Sequence, residues 1–128
     1  MLRLLFILEA AVDAVFGVSL ILATGLLLSI YGMSTDSAGT FLGQFAGALF
    51  VGFALITWFA RDWPDSEARR LVIRATFITT ALGFLVALDY QLHSGSGVLS
   101  WAFVALTALF GSAWGYFAAA TLRQPTTT

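Results

Sequence analysis

The sequence contains no cysteine, which excludes disulfides, thiolate metal sites and cysteine nucleophiles while leaving the redox compartment open. Lysine is absent too, and only 10% of the residues are charged. With six arginines against seven acids the formal net charge is -1, so the chain has no basic surface for nucleic acid and no polybasic anchor for anionic lipid. The single histidine, His93, has no second imidazole with which to share a zinc ion or a haem iron. Both prolines, Pro64 and Pro125, fall outside the long apolar runs and leave those runs free to be continuous helices. No Walker loop, zinc helix or in-span Ser-His-Asp set is present. The chain is therefore expected not to be an enzyme, and no residue set points to a particular metal or cofactor.

What the sequence has in quantity is apolar length. Hydrophobic residues make up 59% of the 128 positions and the mean hydropathy is +0.92, more than the core of a soluble domain of this size requires. Four runs, 2–30, 40–60, 71–90 and 98–122, each suffice for a hydrocarbon layer of about 30 Å. The expected fold is one all-α transmembrane domain, a four-helix up-down-up-down bundle with the bilayer as its solvent. The first run is too long and too acidic for a signal h-region and is read as a retained span. At 1.5 Å per residue it would rise about 43 Å, so it should tilt or protrude.

The connections are short. Tyr31 to Gly39 is a small, polar turn, and His93-Ser94-Gly95-Ser96-Gly97 is a second. Between them lies the one densely charged stretch, Arg61 to Arg70, in which Pro64 breaks the helix, Asp65 is the expected N-cap of the third span, and Glu67 favours its first turn. All six arginines (Arg3, Arg61, Arg69, Arg70, Arg74 and Arg123) fall on one side of this topology. The positive-inside rule places that side, with both termini, in the cytoplasm of a bacterial inner membrane. Tyr31, Tyr90 and Trp101 would mark the outer interface, and Trp58 and Trp63 the inner one. The two halves echo each other weakly, each running from a tyrosine and a turn through Ala-Leu-Phe to an arginine, which admits a parallel duplicated hairpin.

Glycines repeat at intervals of four, Gly39, Gly43 and Gly47 in the second span and Gly111 and Gly115 in the fourth. Small residues at this spacing let helix backbones approach closely in lipid. They mark either packing within one bundle or a homo-oligomer seam, and the former is the simpler use.

The sharper feature is a pair of acids, Glu9 and Asp13, inside the first span. Four residues apart on a helix, they share one face. An acid at a helix centre costs about 2.5 to 3.5 kcal/mol on insertion scales, so both must face the bundle interior, a partner or a water-filled cavity. Arg74 lies about 6 Å beyond Arg70 on the third span, near the expected depth of Glu9. An interhelical Glu9–Arg74 ion pair is the structural expectation, with Asp13 joined through water or a hydroxyl of Thr76, Thr79 or Thr80. Beside it stand a polar cavity for a ligand, proton or ion, and snorkelling to the interface. Trp114 and Tyr116, within the fourth span, are core or pocket rings. His93 with Asp36 and Asp89 is a thin candidate for an outer polar cluster.

An acid-bearing first span, a glycine-rich second span ending in Trp58-Phe59-Ala60-Arg61-Asp62 and an arginine-led third span together resemble the small four-span bacterial membrane proteins, DoxX-like or uncharacterised. The resemblance covers most of the chain and implies the four-span fold. For DoxX members proper it also implies association with membrane redox partners or quinone-linked metabolism, and no site residue is carried over. The functional expectation is a small membrane subunit, scaffold or binder of a lipid- or quinone-like ligand. Its partners would be the lipid bilayer and a homo-oligomer or a larger membrane complex. The alternative is a proton- or ion-coupled transporter or channel using Glu9 and Asp13, although paired helix breaks of the kind transporters carry are absent.

Overall fold

The computed structural model describes residues 1–94 and 97–123. Gly95 and Ser96 of the second turn, and residues 124–128 with Pro125, lie outside the described residues. The chain forms four helices: α1 (Leu2–Ile30), α2 (Ser37–Ala60), α3 (Glu67–His93) and α4 (Val98–Leu122). All four are long and apolar enough to cross a membrane. Burial is inverted relative to a soluble bundle. Leu22, Val86 and Leu109 are among many large apolar side chains left on the outside, whereas the interior holds Glu9, Asp13, Thr24, Thr57 and Thr76. Such a surface is stable in hydrocarbon and not in water.

Caps set the helix ends. α2 starts three residues before the apolar run at Thr40, because the Asp36 carboxylate accepts from the Gly39 N–H at 2.7 Å. α3 begins at Glu67, four residues before its apolar run. Its N-cap is Ser66, which accepts from the Arg69 N–H at 3.3 Å, in place of the expected Asp65. The Asp65 carboxylate is held instead by the Arg70 fork, with both N–H···O distances 3.0 Å. Glu67 does occupy the first turn. α1 ends on Gly32, whose φ of 75° turns the chain back and lets the Met33 N–H reach the Leu28 carbonyl at 2.9 Å.

The excess length of α1 is taken up by a kink. Ala23 leaves helical geometry, so the segment before it, Leu2 to Leu22, rises about 31 Å, close to the hydrocarbon thickness. Two side chains satisfy the carbonyls at the break. Thr24 donates back to Leu20, and Gln44, the one strongly polar side chain of α2, donates its amide to the Ile21 carbonyl at 3.3 Å. A kink satisfied from a neighbouring helix is one of the few forms lipid tolerates.

The helices pair as hairpins. α1 packs along α2 and α3 along α4, whereas α1–α4 and α2–α3 meet only lightly and α1 and α3 stand diagonally apart. Gly17 and Gly47 make the closest approach of α1 and α2. A Cβ on Gly47 would lie 2.7 Å from the Gly17 carbonyl oxygen, and one on Gly17 would lie 2.8 Å from that of Gly47. Gly43 seats the Thr24 side chain. In the second hairpin Gly115 admits the Phe77 ring, 3.0 Å from where its Cβ would be, and Gly111 sits opposite Thr80. Gly39 departs from the expected stripe. It faces Thr35 of its own N-terminal turn rather than another helix.

The arginines gather at the end formed by the start of α1, the α2–α3 connection and the end of α4. Arg3 and Arg61 both bind Asp62, at 2.7 and 3.1 Å, and the Arg61 guanidinium stacks 3.6 Å above the Trp58 ring. Beneath this layer Phe6, Ala60, Ile73, Trp114 and Ala118 form the apolar core.

Candidate functional site

Since the hairpins meet only lightly, a space remains between them. Its inner part is a cavity of about 160 Å³ reached by all four helices. Glu9 and Asp13 of α1 line it, with Thr57 of α2, Thr76, Thr79 and Thr80 of α3 and Thr107 of α4. Phenylalanines complete the wall: Phe16, Phe50, Phe53, Phe103 and Phe110. A second pocket of about 510 Å³ continues toward the opposite end of the bundle and shares Phe16, Phe50, Gly83 and Phe103 with the first. Its lining is apolar, with Leu27 and Leu28 from beyond the α1 kink, Val86, and the rings of Tyr31 and Tyr90. Between the two lies a ring cluster: the Phe16 centroid is 5.6 Å from Phe103 and 6.4 Å from Phe50.

The acids sit where helical spacing put them, one turn apart on the inward face of α1. Glu9 is 8% exposed and Asp13 9%. The Glu9 carboxylate accepts from the Trp114 indole N–H at 2.9 Å, and that indole is held edge-on to Phe6 with centroids 4.9 Å apart. Trp114 is fully buried, because an indole N–H in hydrocarbon needs a partner and the carboxylate supplies it. Among the described residues no donor bonds Asp13.

The expected Glu9–Arg74 pair does not form. Arg74 turns toward α4, donating to the Thr121 hydroxyl at 3.1 Å and its carbonyl at 3.4 Å. The reason is topological. Arg74 belongs to the α3–α4 hairpin and Glu9 to α1, which stands diagonally across from α3. A shared depth did not amount to a shared face.

The threonines join the cavity without bonding Asp13. Thr76 donates to the Val72 carbonyl and Thr80 to the Thr76 carbonyl, each at 2.8 Å. Thr57 and Thr107 likewise donate to carbonyls of the preceding turn. With its proton committed to its own helix, each hydroxyl has only acceptor capacity left for the cavity. Sequence reading brought Glu9, Asp13, Thr76, Thr79 and Thr80 to one place. It missed Thr57, Thr107 and the phenylalanines, whose types are too common in apolar spans to stand out. Of the two rings proposed on α4, Trp114 reaches the site while Tyr116 is 73% exposed and faces outward.

Elsewhere, His93 and Asp89 form an exposed i, i+4 contact of 3.2 Å, and Asp36 is occupied as the α2 N-cap. Among the described residues no three His, Asp or Glu side chains stand close enough to hold a metal ion.

Comparison of the chain with protein-family models, curated proteins and solved structures finds no match.

Proposed function

We propose that the protein is a non-enzymatic, multi-pass protein of the bacterial inner membrane that binds a small membrane-soluble ligand between its two hairpins. The observation that carries this reading is the continuity of an acid-lined chamber with an apolar pocket of about 510 Å³. Ligand sites are mostly apolar clefts with a few convergent polar groups, and they favour the seams between helix pairs. An apolar body would occupy the outer pocket, and a polar end would pass the Phe16 ring to the acids. The DoxX-like resemblance supports the same class of protein.

Native mass spectrometry of the protein released from nanodiscs tests this reading. A stoichiometric retained mass, lost when Gly83→Trp fills the junction of the two cavities, is the expected result. A bare protein under conditions that keep added lipid bound would overturn it.

One observation favours a second reading, coupled transport. Among the described residues neither Glu9 nor Asp13 has a countercharge within ion-pair distance, and acids without one inside a bundle mark ion and proton paths. In proteoliposomes a transport role requires that Asp13→Asn abolish flux while folding is kept.

Orientation belongs to the same proposal, with both termini cytoplasmic as the arginines imply. The absence of native cysteine makes the check direct. A maleimide that cannot cross the membrane should label Ser34→Cys on intact cells and Pro64→Cys only after permeabilisation. The reverse pattern would invert the topology.

A further inference from the structure

We propose that the polar end of this ligand is an organic ammonium group, held by Asp13 and Glu9 against the phenylalanine rings of the inner chamber. This rests on the ligand-binding reading above and adds the charge and chemical class of what is bound.

Three observations converge. The first is uncompensated charge. Asp13 is 9% exposed, lines the cavity and has no donor among the described residues. The arginines of the same end are engaged elsewhere, Arg74 with Thr121, Arg3 and Arg61 with Asp62 and Arg70 with Asp65, while Arg69 lies over the Phe6 ring and donates to the Arg61 carbonyl without pairing with a carboxylate. A buried carboxylate without a partner is costly, so the site is complementary to a cation that brings one.

The second is the polarity of the wall. Thr57, Thr76, Thr80 and Thr107 donate to their own helices, and the one indole donor at Glu9 is already used. Apart from the Thr79 hydroxyl, which makes no bond to its own helix among the described residues, the chamber's ionised acids and committed hydroxyls present acceptors. An anionic head group meets like charge at the ionised acids, and a quinone carbonyl finds a donor only in the Thr79 hydroxyl or a protonated acid. An ammonium group is the converse, a donor or a bare positive charge.

The third is the ring content. Phe16, Phe50, Phe53, Phe103 and Phe110 line the chamber. Aromatic faces attract cations, and cages of rings recognise quaternary ammonium groups. A compact inorganic cation instead demands a converging shell of about six oxygens, whereas the oxygens here are spread over four helices and the exposed wall between them is mostly apolar. The size fits as well, since about 160 Å³ takes a small head group and the adjoining 510 Å³ an alkyl or aryl body.

The test is saturable binding of three probes of equal chain length, octyltrimethylammonium, octanol and octyl sulfate, to the full-length protein in nanodiscs. Scintillation proximity at mildly alkaline pH separates specific binding from linear partition into lipid. Wild type should bind the ammonium in preference to the other two. Asp13→Asn should weaken it roughly ten- to hundredfold, the cost of losing a charged partner, whereas Asp13→Glu should retain it and octanol should be indifferent to both. Circular dichroism reports folding of each variant, and if Asp13→Asn is unfolded the discrimination among probes by wild type decides. Equal binding of octanol and the ammonium at the chamber overturns the charge assignment and leaves the pocket standing, as does an ammonium affinity untouched in folded Asp13→Asn. Saturable binding of none of the three overturns both this inference and the binding reading beneath it.

Discussion

Glu9 and Trp114 are the most informative pair of residues in the molecule. Their bond crosses from one hairpin to the other and spans 105 positions of sequence at 2.9 Å. Trp114→Phe keeps an aromatic ring near Phe6 and removes the donor together with part of the buried ring volume. It should destabilise the protein by about 1 to 3 kcal/mol, for the carboxylate left without its donor and the void left by the smaller ring, as read by reversible unfolding in mixed micelles. A loss well above that would mean that the bond positions the hairpins. Outside the membrane, Arg3 and then Arg61 hold the Asp62 carboxyl below the usual carboxylate range. Its folded pKa is depressed, so its contribution is fully present above the unfolded value of about 3.9 and is lost as pH falls through the folded midpoint. An NMR titration should place the Asp62 midpoint below that value, and Arg3→Gln should raise it. At this scale the sequence was partly legible. The expense of an acid in lipid identified Glu9 and Asp13 as interior groups. It did not identify Trp114 as the partner, since depth along each helix can be counted from sequence and azimuth between helices cannot.

At the level of the helices, spacing was the readable quantity and contact was not. Gly43, Gly47, Gly111 and Gly115 face neighbouring helices, as a four-residue interval demands. Yet they differ sharply in what a methyl group would meet. Gly47→Ala drives a carbon into the Gly17 backbone and should cost about 1 to 3 kcal/mol. Gly111→Ala meets only the Thr80 methyl at 3.8 Å and should stay within about 0.5 kcal/mol of wild type. Thermal melts of the two variants in one detergent check the contrast, and equal melting points would dissolve the α1–α2 seam as described. Gly17, the partner of Gly47, carried no repeat of its own and so gave no signal in the sequence. The same holds for the break at Ala23. Excess length announced that α1 had to tilt or protrude; the bend that takes it up was not foreseen, since its carbonyls are satisfied by Gln44 reaching across to Ile21.

For the whole molecule, topology followed from composition. The four apolar runs and the one-sided arginines implied two antiparallel pairs, and the chain forms them. What composition left open was how closely the pairs would meet. Each hairpin is packed along its length, with close glycine contacts at Gly17, Gly43 and Gly47 in the first and Gly115 in the second, and the hairpins touch each other sparingly. Chains cut between Ala60 and Glu67 should therefore insert separately and co-purify when expressed together, reunited by the Glu9–Trp114 bond and the Phe6 contact. Recovery of only unpaired halves would show that the covalent connection is needed.

The light contact between hairpins has a mechanical side. A body that is stiff along each pair and loosely joined between them yields first at the joint, where the two partly open pockets of about 160 and 510 Å³ lie. A bilayer of changed thickness loads that joint from its edges. The most compressible region is then the one proposed to hold the ligand, and the composition of the surrounding membrane would become a control on its occupancy.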